Sequence, residues 1–549
     1  MAMVTVKNTG MTIPCEDGAS LLRVLLDAGV FVDNPCNGTG VCGKCKVRIS
    51  GETAALSEIG ETERRLLKEE EIADGIRLSC MTNVYGNLEV ETLQKERKHR
   101  VLTSGHMPEF EKDFHKNGYG VAVDIGTTTV VMSLIDLATG EELANASDIN
   151  AQKHFGLDVL TRITYEYDHG EEGIRALQKA IVDSMNAMLD EMCEAVRAEH
   201  GDIREEIQEI VVAANCTMTH MLLGVDARSI GRAPYAPVFK EAQDVPASSI
   251  GLKAGTQTRL YCLPQVSSYI GADIVAGAYV CELKKQKGNV LFIDIGTNGE
   301  IVLASGGTLL SCSCAAGPAL EGMNISCGMR AAEGAIEELR LTEQGVKITT
   351  IAGKEPAGLC GSGILAAVRE LLGNGFLKKT GAFVAVDALG DDDWRRTILR
   401  VEQTDAEAGA ARGKKREAVV WKDKNAEILV TQDDVRQVQL AKGAILSGFT
   451  ALLKKAGITM EELDQVLIAG QFGAHLPAES LVGVGILPQD VKEKITYVGN
   501  SSKTGAYMAL MSQNARKEME ILAAEIEYFE LAETTDYERM FAECMRFPV

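Results

Sequence analysis

The 549-residue sequence is poor in three things. It has no surplus of positive charge: 56 Lys and Arg against 78 Asp and Glu leave a formal charge of −22. That balance argues against a nucleic-acid groove or an anionic membrane surface, both of which reward clustered Lys and Arg. It has no run approaching the ~18 apolar residues of a membrane span, and its start, MAMVTVKNTGMTIPCEDG, has no basic segment leading into an apolar one. A cytoplasmic protein is therefore expected, with a protein or small molecule as partner. Tight cysteine spacing is also scarce: 14 cysteines are spread along the chain and form one close group. Most are expected to be buried thiols in a reducing compartment.

What is present suffices for several cores, since 46% of the residues are apolar. Residues 1–93 read as a strand-rich unit. Met3–Val6 alternates, Gly18–Ala28 has helical periodicity through Leu21, Leu22, Val24 and Leu25, and Cys45–Ile49 and Asn87–Glu91 are strands. Hairpin, helix, then strands is the order of a β-grasp. Apolar periodicity fades over 94–118, which is expected to be a linker. From Tyr119 to Val549, buried-type strands alternate with amphipathic helices in an α/β pattern. Two segments there are alike, VAVDIGTTTVVMSLIDLATG (121–140) and VLFIDIGTNGEIVLASGGTL (290–309), and imply a duplicated subdomain. The polar, Ala/Gly-rich stretch 390–425 is expected to be a surface insertion.

The close cysteine group is Cys36, Cys42 and Cys45 in C-x5-C-x2-C spacing, with Cys80 35 positions further on. Four thiolates suit a [2Fe–2S] cluster. Gly38, Gly40 and Gly43 let one loop wrap it on three sides. Zinc is the competing reading, but structural zinc sites pair two short knuckles, whereas here three ligands sit together and one stands alone. Cys15 lies outside the pattern and is read as a core thiol.

In both Asp-Ile-Gly-Thr segments a hydrophobic strand ends in Asp and turns through Gly-Thr into a second strand. The turns at Gly126, Thr127, Thr128 and at Gly296, Thr297, Asn298 are expected to offer N–H and hydroxyl groups to phosphate oxygens. Asp124 and Asp294 would organise a Mg²⁺ held mostly through water. One such turn is ordinary hairpin chemistry; two copies about 170 residues apart are not.

Further on come IAGQFGAHLP (468–477) and VGNSSKTGAYMAL (498–510). Together with the helical SSYIGADIVAGA (267–278), this order over about 430 residues resembles the acetate and sugar kinase/Hsp70/actin (ASKHA) superfamily. The resemblance implies two RNase H-like subdomains, 119–280 and 281–549, with Gly470 and Gly473 at the adenosine and the two turns around the phosphates. Gly361 and Ser362, in GLCGSGIL, face either nucleotide or a close helix–strand contact. Gln265 and Asp273, before and within the first connecting helix, are candidates to orient the attacking water.

A ferredoxin followed by such an ATPase is similar to the reductive activators of corrinoid proteins, the RACo-like proteins. INAQKHFGLDVLTRI (149–163), AANCTMTHMLLG (213–224), AAGPALEGMNISCGM (315–329), the end of DVRQVQLAKGAI (434–445) and the terminal MRFPV add to the likeness. The resemblance implies ATP-dependent reduction of a Co(II) corrinoid protein of a methyltransferase system to Co(I), an upstream electron donor, and a homodimer. It also implies an extra domain before the first Asp-Ile-Gly-Thr motif, where this chain has only about 25 residues. Two alternatives stay open. One is an ATP-dependent electron donor to another low-potential acceptor such as a dehydratase; the other is a nucleotide-switched redox sensor or binding module. Cys312, Cys314 and Cys327 partly match the cysteine run of related dehydratase activators but are read as buried thiols, and His154 and His220 as structural.

Overall fold

The computed structural model describes residues 2–30, 32, 34, 38, 40, 42–50, 55–93, 105–113, 117–403, 414–424, 426–470 and 473–548. Of the expected site residues, Cys36 lies outside that set. In the N-terminal unit, β1 (Ala2–Val6) and β2 (Met11–Cys15) form a hairpin. Helix α1 (Leu21–Asp27) follows, then β3 (Lys46–Ser50), β4 (Ile76–Leu78) and β5 (Leu88–Thr92). The sheet runs β2-β1-β5-β3-β4, with β1 and β5 parallel. Alternation puts Val4, Val6, Val47 and Val90 on the inner face, against Leu21, Leu22, Val24 and Leu25 of α1; Cys15 joins this core. This is the β-grasp arrangement expected from the pattern.

The remainder is built on two six-stranded sheets. The first contains β6 (Tyr119–Ile125), β7 (Thr129–Asp136), β8 (Glu142–Ile149), β9 (Ile207–Ala214), β10 (Gln243–Pro246) and β11 (Arg259–Cys262). Its spatial order is β8-β7-β6-β9-β11-β10. Helices α2 (Val159–His200, interrupted at Gly170 with φ +56°) and α3 (Cys216–Leu223) pack beside it, and α4 (Ala272–Val280) follows it in sequence. The second sheet begins with β12 (Val290–Ile295), β13 (Gly299–Ser305) and β14 (Thr308–Cys314). After them come a small sheet of β15 (Ala335–Thr342), β16 (Gly345–Thr350) and β17 (Gly358–Leu359), then helix α5 (Gly361–Gly373). Next are β18 (Leu399–Gln403), β19 (Lys414–Lys422) and β20 (Glu427–Thr431), followed by α6 (Gln432–Ala456), β21 (Gln465–Ala469) and β22 (Ile495–Gly499). Helices α7 (Ser501–Met511) and α8 (Gln513–Glu525) and strand β23 (Ile526–Tyr528) come near the end. The order of the second sheet is β22-β21-β12-β13-β14-β23. Its core β14-β13-β12-β21 repeats β8-β7-β6-β9: two antiparallel hairpin partners, then a strand added parallel. The duplication read from the two similar segments is thus a duplicated sheet.

Helices α4 and α7 lie between the two sheets. Their buried residues, among them Ala276, Ala506 and Ala509, share one core with Ala122 and Val211 of the first sheet and Phe292 and Val302 of the second. The crossing is close: a Cβ at Gly505 would lie 2.5 Å from Ala276 Cβ, so glycine is required. The tail then returns to the first sheet. Arg516 on α8 pairs with buried Glu209 on β9 at 2.8 and 2.7 Å and lies over the Tyr261 ring at 4.4 Å. The C-terminal helix α8 thus packs against the first sheet.

Two expectations are modified. The stretch 94–118 is not a bare linker, because 105–113 runs along β22 and the C-terminal helices: His106 N donates to Val498 O at 2.8 Å, and Asp113 accepts from Gln513 N and Asn514 N at 2.6 and 3.0 Å, capping α8. The stretch 390–425 is not only surface, because β18, β19 and β20 form an antiparallel sheet whose Leu399, Ala418, Val420, Ile428 and Val430 enter the core of the second lobe. Among the described residues, no helix is long and apolar enough to cross a membrane.

Candidate functional site

The two Asp-Ile-Gly-Thr hairpins face one cleft. It is lined by Asp124, Gly126, Thr127 and Thr128 from the first and by Asp294, Gly296, Thr297 and Asn298 from the second. Asn215, Asp273, Glu300, Glu321, Gly470, Asn500 and Ser502 complete it. The hairpins are not identical. Pairing of Ile125 with Val130 leaves 126–129 as the first turn, and pairing of Ile295 with Gly299 leaves 296–298 as the second, one residue shorter. The N–H groups of Gly126 and Gly296, expected to face phosphate, are used inside the turns, on Thr129 O and Asn298 O, each at 2.9 Å. Hydroxyls and the remaining amides are left for a ligand.

The first hairpin is held by three asparagines that each do two jobs. Asn150, Asn215 and Asn500 are N-caps whose side chains accept from Gln152 N, Met218 N and Lys503 N at 3.0, 2.9 and 2.9 Å. Capping uses the amide oxygen, so Nδ2 is left to donate. These donors go to Gly126 O (2.9 Å), Thr127 Oγ1 (3.1 Å) and Asp124 Oδ2 (2.8 Å) respectively. Ser502 donates to Asp124 Oδ1 at 2.8 Å. Behind the turn, Arg162 on α2 is buried and gives its hydrogen bonds to Thr127 O (2.5 Å), Gly156 O (2.9 Å) and Gln152 Oε1 (3.3 Å). Burial lowers its pKa to about 9, so it stays charged near neutrality, and among the described residues no carboxylate pairs with it. Its field therefore reaches the turn where phosphate would sit.

The second hairpin is far less supported. Among the described residues, nothing hydrogen-bonds the Asp294 carboxylate. Burial, then the charges of Asp273 and Asp124, push its pKa to about 8. Asp273, in the first turn of α4, is pushed to about 7 by burial and by Asp124, and Glu300 is raised well above the usual range by burial, Asp273 and Asp294. Asp124 is raised by burial too, but the Ser502 and Asn500 hydrogen bonds and Lys503 oppose the shift. Gly470 has φ +92°, and a Cβ there would lie 2.3 Å from Asp294 Oδ1. Glycine is needed twice over, for the turn and for the carboxylate's room.

Such a set of mutually raised carboxylates fits a cation, which would discharge them. Among the described residues no three His, Cys, Asp or Glu side chains are placed to ligate an ion directly. At the N-terminal unit, Cys45 Sγ and Cys80 Sγ are 3.2 Å apart, beyond a disulfide's ~2.05 Å and close enough to share one metal atom. Cys42 is buried on the same loop, and Gly38, Gly40 and Gly43 all have positive φ, at +78°, +74° and +63°. This loop fits a [2Fe–2S] cluster. Between Cys42 and Cys45, Lys44 Nζ donates to Ala357 O at 2.8 Å, which brings the loop against the second lobe.

The cleft gathers Asp124, Asp273, Asp294, the six turn residues and Gly470, but not every expected residue. Gln265 is outside it: it is buried, and Nε2 donates to Phe239 O at 2.8 Å, holding a loop. Gly361 and Ser362 are at a packing contact, where a Cβ on Gly361 would lie 1.7 Å from Leu320 O. Gly473 packs on Ile468 and Ile295, where a Cβ would lie 2.9 and 3.5 Å from their side chains. Cys312 and Cys314 are in the core, and Cys314 Sγ donates to Gly299 O at 3.1 Å. His220 stacks on Phe239 (centroids 4.2 Å apart) and bonds Cys216 O and Val238 N, a structural role. Sequence reasoning missed Asn150, Arg162, Asn215, Glu300, Glu321, Asn500 and Ser502. Most lie in segments noted for likeness alone; the usable signal was a polar residue beginning each helix after a strand.

Comparison with known proteins supplies the context. A family model described as the 2Fe-2S iron-sulfur cluster binding domain matches residues 4–85, one for the RACo middle region matches 119–286, and one for the C-terminal domain of RACo, the ASKHA domain, matches 288–549. The chain is 32% identical over 433 residues to the corrinoid activation enzyme RamQ of Eubacterium limosum, covering 77% of this chain and 70% of that protein. It is 25% identical over 416 residues to the [Co(II) methylated amine-specific corrinoid protein] reductase of Methanosarcina barkeri, covering 70% and 68%. A solved reductive activator for corrinoid, iron-sulfur protein aligns with 30% identity and a TM-score of 0.67 over 100% of this chain and 98% of its own.

Proposed function

The chain belongs to the RACo family of reductive activators of corrinoid proteins, and from that premise we propose that it couples ATP hydrolysis to electron transfer from its [2Fe–2S] cluster to a Co(II) corrinoid protein of a methyltransferase system, restoring Co(I). The observation that carries this reading is the single cleft shared by the two Asp-Ile-Gly-Thr hairpins, in a chain that also brings Cys45 and Cys80 together. Cys36, Cys42, Cys45 and Cys80 would hold the cluster, which when bound supplies the one-electron chemistry.

The chain's own residues divide the rest of the work. Thr127 Oγ1 accepts from Asn215, so its own proton would be available to donate to a phosphate oxygen, and Arg162 lends positive potential from behind. Thr128, Thr297 and Asn298 would meet the phosphates, and Gly470 leaves space beside Asp294 for the nucleotide. Asp294 and Asp273, with raised pKa values and open to the cleft, would hold a hydrated Mg²⁺ and orient the attacking water; Asp124, tied to α7, would pass the state of the cleft to that helix. ATP is needed because reaching Co(I) is uphill: a one-electron gap of ~200 mV costs about 4.6 kcal/mol. Nucleotide can supply this only by binding two states of the activator with different affinity.

The working assembly would be a cytoplasmic homodimer fed by an upstream electron donor. The test is reduction of a Co(II) corrinoid protein by the cluster-loaded chain at limiting reductant, followed by the Co(I) absorbance. Reduction should require ATP, and Cys80→Ser should abolish it while ATPase persists. Equal reduction without ATP would sink the reading, and faster transfer to a dehydratase-type acceptor would reassign the partner.

A further inference from the structure

Glu321 makes the one side-chain bridge between the two hairpins among the described residues. It ends the short turn Pro318–Glu321 and is 1% exposed. Thr128 Oγ1 of the first hairpin donates to its Oε2 at 3.0 Å, and Thr297 Oγ1 of the second donates to its Oε1. One carboxylate thus accepts from a hydroxyl of each lobe, which is what a phosphate with two free oxygens would do there. The backbone beneath it is fixed. A Cβ at Gly322 would lie 2.1 Å from Met329 O, and one at Gly361 1.7 Å from Leu320 O, so main chain packs on main chain on both sides of Glu321. Burial raises the Glu321 pKa, and the Thr297 hydrogen bond, the charge of Arg330 and the Thr128 hydrogen bond oppose the shift, each favouring the ionised form.

We propose that Glu321 is an internal surrogate for nucleotide phosphate: bridging Thr128 and Thr297, it holds the hairpins together when the cleft is empty, and phosphates of the incoming nucleotide must displace it to reach the same hydroxyls. The inference rests on the nucleotide reading of the cleft. It makes Glu321 a positioning residue that sets how far the lobes are pre-closed, with Arg330 as the partner it turns to on release. If the bridge leaves the site competent about a tenth of the time, removing it tightens phosphate-bearing ligands about tenfold.

The experiment is calorimetric titration of the full-length protein, Glu321→Gln and Glu321→Ala with ATP, ADP and adenosine in the presence of Mg²⁺. Both variants should bind ATP and ADP about tenfold more tightly and adenosine within about twofold of wild type. A structural role alone would instead weaken all three ligands together. ATP binding by wild type with no gain in either variant overturns this inference and leaves the nucleotide reading intact; no ATP binding by wild type overturns both. Hydrogen exchange gives a second readout: without nucleotide, amides of 126–129 and 296–299 should exchange faster in Glu321→Gln than in wild type, and ATP should remove the difference. Equal exchange without nucleotide overturns the bridge.

Discussion

The two Asp-Ile-Gly-Thr hairpins began as near copies in sequence and have become chemically unequal. In the first, Asp124 accepts from Asn500 and Ser502, the Thr127 side chain accepts from Asn215, and Arg162 stands behind. In the second, nothing among the described residues hydrogen-bonds Asp294, whose pKa rises to about 8. A carboxylate at the start of α7, fed by donors and the helix dipole, is a structural tie. A half-buried carboxylate without donors costs stability and is kept for what it can bind. Duplication supplied two equivalent aspartates; their surroundings made one an anchor and left the other open for chemistry.

The comparison breaks most sharply under paired substitution. Asp294→Asn is expected to lower ATPase by roughly 10²–10³-fold, the scale of losing one preorganised electrostatic group, without lowering stability in urea. Asp124→Asn should lose about 1–2 kcal/mol of unfolding free energy, because donors now face a weaker acceptor. Equal destabilisation by both would erase the distinction. Next in size is Asn500. Asn500→Ala loses cap and donor, whereas Asn500→Asp keeps the cap but sets a charge against Asp124, so the aspartate should be the more damaging by about 1–2 kcal/mol. A thermal melt in which alanine is worse would show that capping dominates.

A smaller effect is carried by pH. Asp273 near 7 and Asp294 near 8 hold protons that the unfolded chain gives up near 3.8. The native state therefore binds more protons across this interval, and their contribution, full below about pH 4, declines as pH rises through 7 to 8. The stability difference between wild type and Asp294→Asn should fall over that window, and Mg²⁺ should restore it at pH 8.5 more than at pH 6. A flat difference would mean that Asp294 is already ionised. The smallest effect is Gln265→Met, which should leave ATPase within about twofold, since that side chain ties the 239 loop outside the cleft. A large loss would return Gln265 to the site.

Legibility in the sequence followed the range of the interaction. The cysteine spacing, the repeated Asp-Ile-Gly-Thr turns and the β-grasp order were readable because each is local, a matter of strand alternation, helix periodicity or turn residues. Asn150, Asn215 and Asn500 were invisible as site residues because their sequence signal is that of ordinary helix caps. Only folding directs their side-chain N–H groups at the first hairpin, up to 376 positions away. Gln265 was misplaced for the complementary reason: a polar residue before a helix start reads alike whether it points to the cleft or, as here, to Phe239 O.

By itself, then, the sequence determined a thiolate loop, a duplicated pair of phosphate-type turns and the strands that carry them, since backbone geometry and burial pattern act within a few residues. The tertiary structure decided which aspartate is tied and which is open, that 105–113 docks on the tail, and that Glu321 spans both hairpins. Those outcomes depend on which donors arrive at each carboxylate from remote strands and helices, and on how much water burial removes. Neither quantity exists until the two sheets close on α4 and α7.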